Sequence, residues 1–187
     1  MTTTALILID VQQGFDDPVW GEPNNPAALD NIARLAAAWQ HAGQPIVVVR
    51  HDSVEAASPL RPGGPGHALE PVVAAVDPAL FITKTVNSAF HGDEDLHAWL
   101  LGREVDGIVL AGIQTNMCVE TTARVGGNLG HRVAVALDAT RTFALTGPDG
   151  ATLSADELTR ATATNLHGGG FARIVSTAEA LAEVGAG

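Results

Sequence analysis

Ala5-Leu-Ile-Leu-Ile-Asp10 sets five apolar residues in a row and ends them with a carboxylate. A run this short, without polar alternation, reads as a strand buried on both faces, as in a parallel sheet. Five runs of the same kind follow: Pro45-Ile-Val-Val-Val49, Leu80-Phe-Ile82, Gly107-Ile-Val-Leu-Ala111, Arg132-Val-Ala-Val-Ala-Leu137 and Ala172-Arg-Ile-Val175. Between them lie stretches with helical spacing and start signals: Asn25-Pro26 before Ala27 to Ala42, Asp93 before Leu96 to Leu101, and Ser154 before Asp156 to Leu166. Gly43 and Gly130 stand where helix C-caps are needed. Strand followed by helix, repeated, implies right-handed crossovers. The expected fold is α/β, an open six-stranded parallel sheet with helices on both faces in three α/β/α layers.

The 187 residues fit a single domain spanning 1–187, with 46% apolar and only 17% charged residues to build a core rather than a disordered chain. Ten basic residues against 21 acidic ones give a net charge of −11, which repels phosphate backbones and anionic headgroups. Neither nucleic acid nor a membrane is expected as a partner. The opening MTTTALILIDVQQ has no basic leader region and its apolar run cannot span a bilayer, so a cytoplasmic protein is expected. Cys118 is the one cysteine, which rules out an intramolecular disulfide and leaves an inert side chain or a nucleophile.

Asp52 to His67 (DSVEAASPLRPGGPGH) interrupts the alternation with prolines and glycines and reads as a loop. Ligands of open parallel sheets bind beyond the carboxyl ends of the strands. Those positions hold Asp10, His51-Asp52, Lys84 and the turn Gly112 to Cys118, and none carries a glycine-rich phosphate loop. Cys118 follows a strand and opens a helical stretch near Asn116 or Met117, where unpaired N–H groups and Lys84 would favour thiolate; packed as a small hydrophobe, it would be inert. Asp10, ending a buried run, needs a partner. Lys84 supplies one, either as a structural ion pair or as part of a site in which Asp10 takes the thiol proton. His51, a polar group at a strand end, reads as a satisfied structural histidine ahead of a ligand or substrate contact.

Three motifs, Leu8-Ile-Asp10-Val-Gln-Gln-Gly-Phe15, Lys84-Thr-Val-Asn-Ser-Ala-Phe90 and Ala111-Gly-Ile-Gln-Thr-Asn-Met-Cys-Val119, stand in this order, each after an expected strand. Together they resemble the isochorismatase-like cysteine hydrolases, which include nicotinamidases, carbamoylsarcosine amidohydrolases and streptothricin hydrolases. The resemblance covers nearly the whole chain. It implies an Asp10, Lys84, Cys118 catalytic triad, a cis peptide at Ile113–Gln114, and an oxyanion hole from the backbone N–H groups of Gln114 and Cys118. The implied reaction is hydrolysis of a carbon–nitrogen bond in a small-molecule amide or lactam through a Cys thioester. The enzyme that names the family cleaves a vinyl ether without a cysteine nucleophile.

Nicotinamidases of this family hold a metal with an aspartate, a histidine two residues later and another histidine near the third strand. Here Asp52 is followed by Ser53 and Val54, and Lys84 by Thr85 to Ser88, so no metal and no other cofactor is expected. Phe15, Trp20, Asn87, Ser88 and Phe90 are candidate pocket walls, with Gln114 beside the thiol. His167 reads as a helix-capping group. The loops 52–67 and 141–154 read as lids or subunit contacts. Ser58-Pro-Leu-Arg-Pro and Gly127-Asn-Leu-Gly130 look closest to the branch containing streptothricin hydrolases, for which a cationic substrate would suit the acidic surface. The resemblance also implies a homodimer or homotetramer. The competing readings are a catalytically silent oligomeric binding protein, a metal-dependent amidase using His51 and Asp52, and an isochorismatase-type ether hydrolase.

Overall fold

The structure, a computed structural model, describes residues 3–184. In chain order its elements are β1 (Thr4–Ile9), α1 (Ala28–His41), β2 (Ile46–His51), α2 (Pro71–Ala74), β3 (Leu80–Lys84), α3 (Leu96–Gly102), β4 (Gly107–Ile113), α4 (Glu120–Asn128), β5 (Val133–Arg141), the hairpin strands β6 (Leu145–Thr146) and β7 (Thr152–Leu153), α5 (Ala155–Gly168), β8 (Arg173–Val175) and α6 (Thr177–Val184). The six expected strands form one sheet in the order β3-β2-β1-β4-β5-β8, every pair parallel.

Side chains of a strand alternate between faces, and β1 divides the core accordingly. Leu6 and Leu8 pack with Ile32, Leu35 and Trp39 of α1 on one face; Ala5, Ile7 and Ile9 pack with Leu96 and Leu100 of α3 and Ala123 of α4 on the other. Burial on both sides explains the unbroken apolar runs. Trp39 is buried whole because its indole N–H donates to the Thr4 carbonyl at 2.8 Å.

The helix signals hold with local corrections. Asp95 rather than Asp93 caps α3, accepting from the Ala98 N–H at 2.9 Å. Asp93 instead accepts from the backbone and hydroxyl of Thr83, fastening the exit of β3. Ser154 caps α5 in a reciprocal capping box with Glu157. Ser176 and Glu179 repeat that pattern at α6, a helix outside the sequence expectation. Gly43 and Gly130 follow α1 and α4 with positive φ. The segment 141–154, expected as a loop, carries the β6–β7 hairpin. No helix among the described residues is long and apolar enough to cross a membrane.

The chain steps from β1 outward through β2 to β3, then returns to the other side of β1 with β4. Strand order reverses between β1 and β4, so a crevice opens at their carboxyl ends, where open α/β sheets place their ligands. Gly112 closes the crevice floor: at φ +135°, a Cβ there would stand 2.0 Å from the Ile9 carbonyl oxygen. Gly112→Ala is therefore expected to push β4 from β1 and to cost about 3 kcal/mol of stability, read as a lowered urea midpoint.

Candidate active site

Asp10 leaves β1 with φ +51°, its N–H donating to Val49 of β2 and its carbonyl accepting from Gln12. Lys84 ends β3 and lies in register opposite His51, the last residue of β2. The lysine stem reaches back beneath the end of β2 toward β1. There Nζ donates to Asp10 Oδ2 at 2.5 Å, to His51 Nδ1 at 3.2 Å and to Cys118 Sγ at 3.4 Å. An ammonium has three protons, and each meets an acceptor from a different element. The Asp10 and Lys84 side chains are fully buried.

Cys118 comes from the turn after β4, a π-helical turn over Thr115–Val119 that runs into α4. The Gln114 carbonyl anchors this turn by accepting from the Met117 and Val119 N–H groups, and the Ile113–Gln114 peptide is cis. The thiol is 8% exposed and faces two acceptors. One is Asn87 Oδ1 at 3.9 Å; the other is the Asp10 carboxylate, which lies with the thiol and His51 in one cluster whose donor atoms are within 4.8 Å of one another. Asp10 Oδ1 has no hydrogen-bond partner among the described residues.

Burial pushes the Asp10 carboxyl above its usual range, and the Lys84 charge opposes this without cancelling it. Burial also pushes the Cys118 thiol well up, and the Asp10 charge adds to the rise. This corrects the expectation of a favoured thiolate: the turn supplies some positive potential, but the thiol is enclosed and stands beside a carboxylate. At rest the sulfur keeps its proton, next to an acceptor whose raised pKa suits it to receive one. His51 is held neutral by burial and by the neighbouring Lys84 charge.

The other expected residues divide. Asn87 stands beside the thiol, whereas Ser88 caps a short turn by accepting from the Phe90 N–H. Phe90 points away, stacking on His131 and packing into the core under α4. Phe15 and Trp20 join Phe143, Leu60 and Ile113 in an apolar cluster at the carboxyl end of the sheet, with the Trp20 indole donating to Gly14. Phe15 is thus a packing residue, and half-buried Trp20 forms the outer edge of the cluster.

Gln12, which the sequence did not single out, and His51 complete the site. Gln12, wholly buried, accepts from the His51 N–H and donates to the carbonyls of His51 and His67, clamping β2 and the proline-rich loop to the end of β1. His51, read as structural, touches Lys84. Both could have been found, since Gln12 lies in the first motif and parallel register places His51 beside Lys84. A surface cleft of about 740 Å³ lies at the opposite ends of the strands around Thr4, Gly107 and Arg173, away from this chemistry.

Asp10, His51 and Cys118 are close enough to surround a metal ion, but the Lys84 ammonium already donates to all three. A divalent cation would have to displace a buried ammonium, so these residues do not fit one. Asp52 is likewise engaged, by Arg50 Nε at 2.8 Å and His67 Nε2 at 2.7 Å. Burial works to raise its pKa, but these two partners prevail and hold the carboxyl low.

The isochorismatase domain model matches residues 4–178. Among curated proteins, the isochorismatase family protein YrdC of Bacillus subtilis is 39% identical over 141 residues, 75% of each chain. Streptothricin hydrolase of Streptomyces noursei is 32% identical over 139 residues, which cover 74% of this chain and 50% of that enzyme. Among solved structures, an isochorismatase-family protein from Chromobacterium violaceum superposes with a TM-score of 0.91 at 42% identity, covering 98% of this chain and 94% of its own.

Two outcomes follow from the geometry. The rate of Cys118 alkylation by iodoacetamide, followed by mass spectrometry, should keep rising above the ordinary thiol pKa of about 8.5, and Asp10→Asn should move that rise to lower pH by removing the neighbouring negative charge. A wild-type rate that levels off below pH 7 contradicts this. Lys84→Met, which strands a buried carboxylate, should cost about 3–5 kcal/mol in urea unfolding, and adding Asp10→Asn should return much of it.

Proposed function

The chain belongs to the isochorismatase family of hydrolases, and on that footing we propose that it cleaves the carbon–nitrogen bond of a small-molecule amide or lactam through a thioester on Cys118. One observation carries this reading: a single buried ammonium holds a carboxylate and a thiol together while one carboxylate oxygen remains free to accept a proton.

In the proposed reaction Asp10 takes the thiol proton as sulfur attacks the carbonyl carbon, so thiolate never accumulates and the raised thiol pKa is no obstacle. Lys84 keeps its proton. It offsets the negative charge as that charge moves between sulfur and carboxylate, and it holds both groups in line. The carbonyl oxygen, now an oxyanion, is assigned to the backbone N–H groups of Gln114 and Cys118. When the carbon–nitrogen bond breaks, protonated Asp10 passes its proton to the leaving nitrogen and is again a carboxylate. It then takes a proton from water as the water oxygen attacks the thioester, and returns that proton to sulfur as the carbon–sulfur bond breaks. The site ends as it began.

The streptothricin hydrolase relative supports amide or lactam chemistry, and the net charge of −11 suits a cationic substrate. Incubation with a panel of amides and lactams, followed by intact-mass spectrometry, should reveal an acyl adduct on Cys118. Cys118→Ala should abolish both adduct and turnover, and Asp10→Asn should lower turnover by about 10²- to 10⁴-fold. Turnover that survives Cys118→Ala would refute the mechanism.

A further inference from the structure

Lys84 is an ammonium and has only protons to give, so the contact at 3.2 Å requires a lone pair on His51 Nδ1. The ring is therefore neutral, with its proton on Nε2. That nitrogen has no partner among the described residues, and the ring is half-buried at the end of β2. A ring nitrogen of His51 lies within 4.8 Å of the Cys118 sulfur. The backbone beneath is fixed, because Gln12 bonds both the N–H and the carbonyl of His51. A neutral ring on a fixed backbone thus lies near the Cys118 sulfur, with its Nε2–H uncommitted.

We infer that His51 is a substrate-contacting residue: its Nε2–H donates to an acceptor, a carbonyl oxygen or ring nitrogen, next to the carbon that Cys118 attacks, while Nδ1 holds Lys84. The inference rests on the thiol mechanism above and adds a selection rule to it. Substrates carrying such an acceptor are favoured over equally electrophilic ones that lack it, because an uncommitted buried-edge donor left unpaired costs binding.

Two side chains separate the two jobs of the ring. Asparagine can set its oxygen near the Nδ1 position and keep the acceptor for Lys84; glutamine can set its amide near Nε2 and keep the outward donor. Cys118 labelling at pH 9 is compared for iodoacetamide, whose carbonyl adjoins the attacked carbon, and methyl iodide, which has no acceptor. His51→Asn should slow iodoacetamide about tenfold while methyl iodide stays within about twofold, and His51→Gln should recover most of the loss. In the wild-type protein a long-range proton–nitrogen spectrum should show His51 as the neutral Nε2–H tautomer between pH 6 and 8. Equal slowing of both reagents would mean that the ring acts only through Lys84 and would overturn the substrate contact; so would no slowing, an imidazolium, or an Nδ1–H ring. Failure of the thiol mechanism looks different: Cys118 resists both reagents in the wild type, while the ring spectrum still decides the His51 tautomer.

Discussion

Asp10 and Lys84 meet at 2.5 Å with neither side chain reaching solvent. Taking either charge alone out of water costs several kcal/mol, and mutual attraction offsets that only when the remaining donors and acceptors are also met. Lys84 meets all three of its own. Asp10 does not: Oδ2 is paired with Lys84, and Oδ1 has no partner among the described residues. The fold keeps this shortfall in place with apolar strands on both sides, the Gly112 approach below and the Gln12 clamp beside it. A buried carboxylate with an open valence is poorly designed as a structural bridge and well designed as a proton acceptor.

The same burial decides the state of the sulfur. A helix start stabilises a nearby anion by about 0.3–1 kcal/mol, less than one pKa unit, whereas full desolvation raises an acid by as much as 3–5 units. Sequence position shows only the first effect. The second depends on what closes over the thiol and on which oxygen Asp10 turns toward it, and neither is written in residue spacing. The consequence reaches the proposed reaction: with the thiol protonated at rest, attack and proton transfer would have to be coupled, so carboxylate and sulfur would have to be placed together before substrate arrives. One ammonium touching both does this.

The sheet was legible because a strand buried on both faces leaves an unmistakable run of apolar residues, and the reversal of strand order then says where ligands go. Asp10, Lys84 and Cys118 were legible as strand-end residues for the same reason. The contact between His51 and Lys84 was not legible from either residue alone; parallel register sets the two opposite each other, a relation between two strands rather than a property of one. Asp93 and Asp95 illustrate a finer limit. Both suit a helix cap, and the choice falls to Asp95 because Asp93 is already taken by Thr83 across the chain. Phe90 failed as a pocket residue because a side chain two positions from Ser88 turns with the short helical turn between them, toward His131 and the core.

The proline-rich loop after β2 is held by different means from the crevice floor. Leu60 carries the proline-rich loop into the apolar cluster with Phe15, Phe143 and Ile113, and Asp52 ties the stem of that loop to His67. A Cβ on Gly66 would stand 2.4 Å from Gly14 Cα, so the loop lies directly on the turn that follows β1. Ile113 belongs to this cluster and precedes the turn that carries Cys118, so the packing that seats the loop also seats the thiol. A change in loop shape therefore has to preserve Leu60 and the Gly14–Gly66 contact. Val54, beyond the loop stem, and Leu145 and Leu153 of the hairpin are exposed and stand outside this apolar cluster.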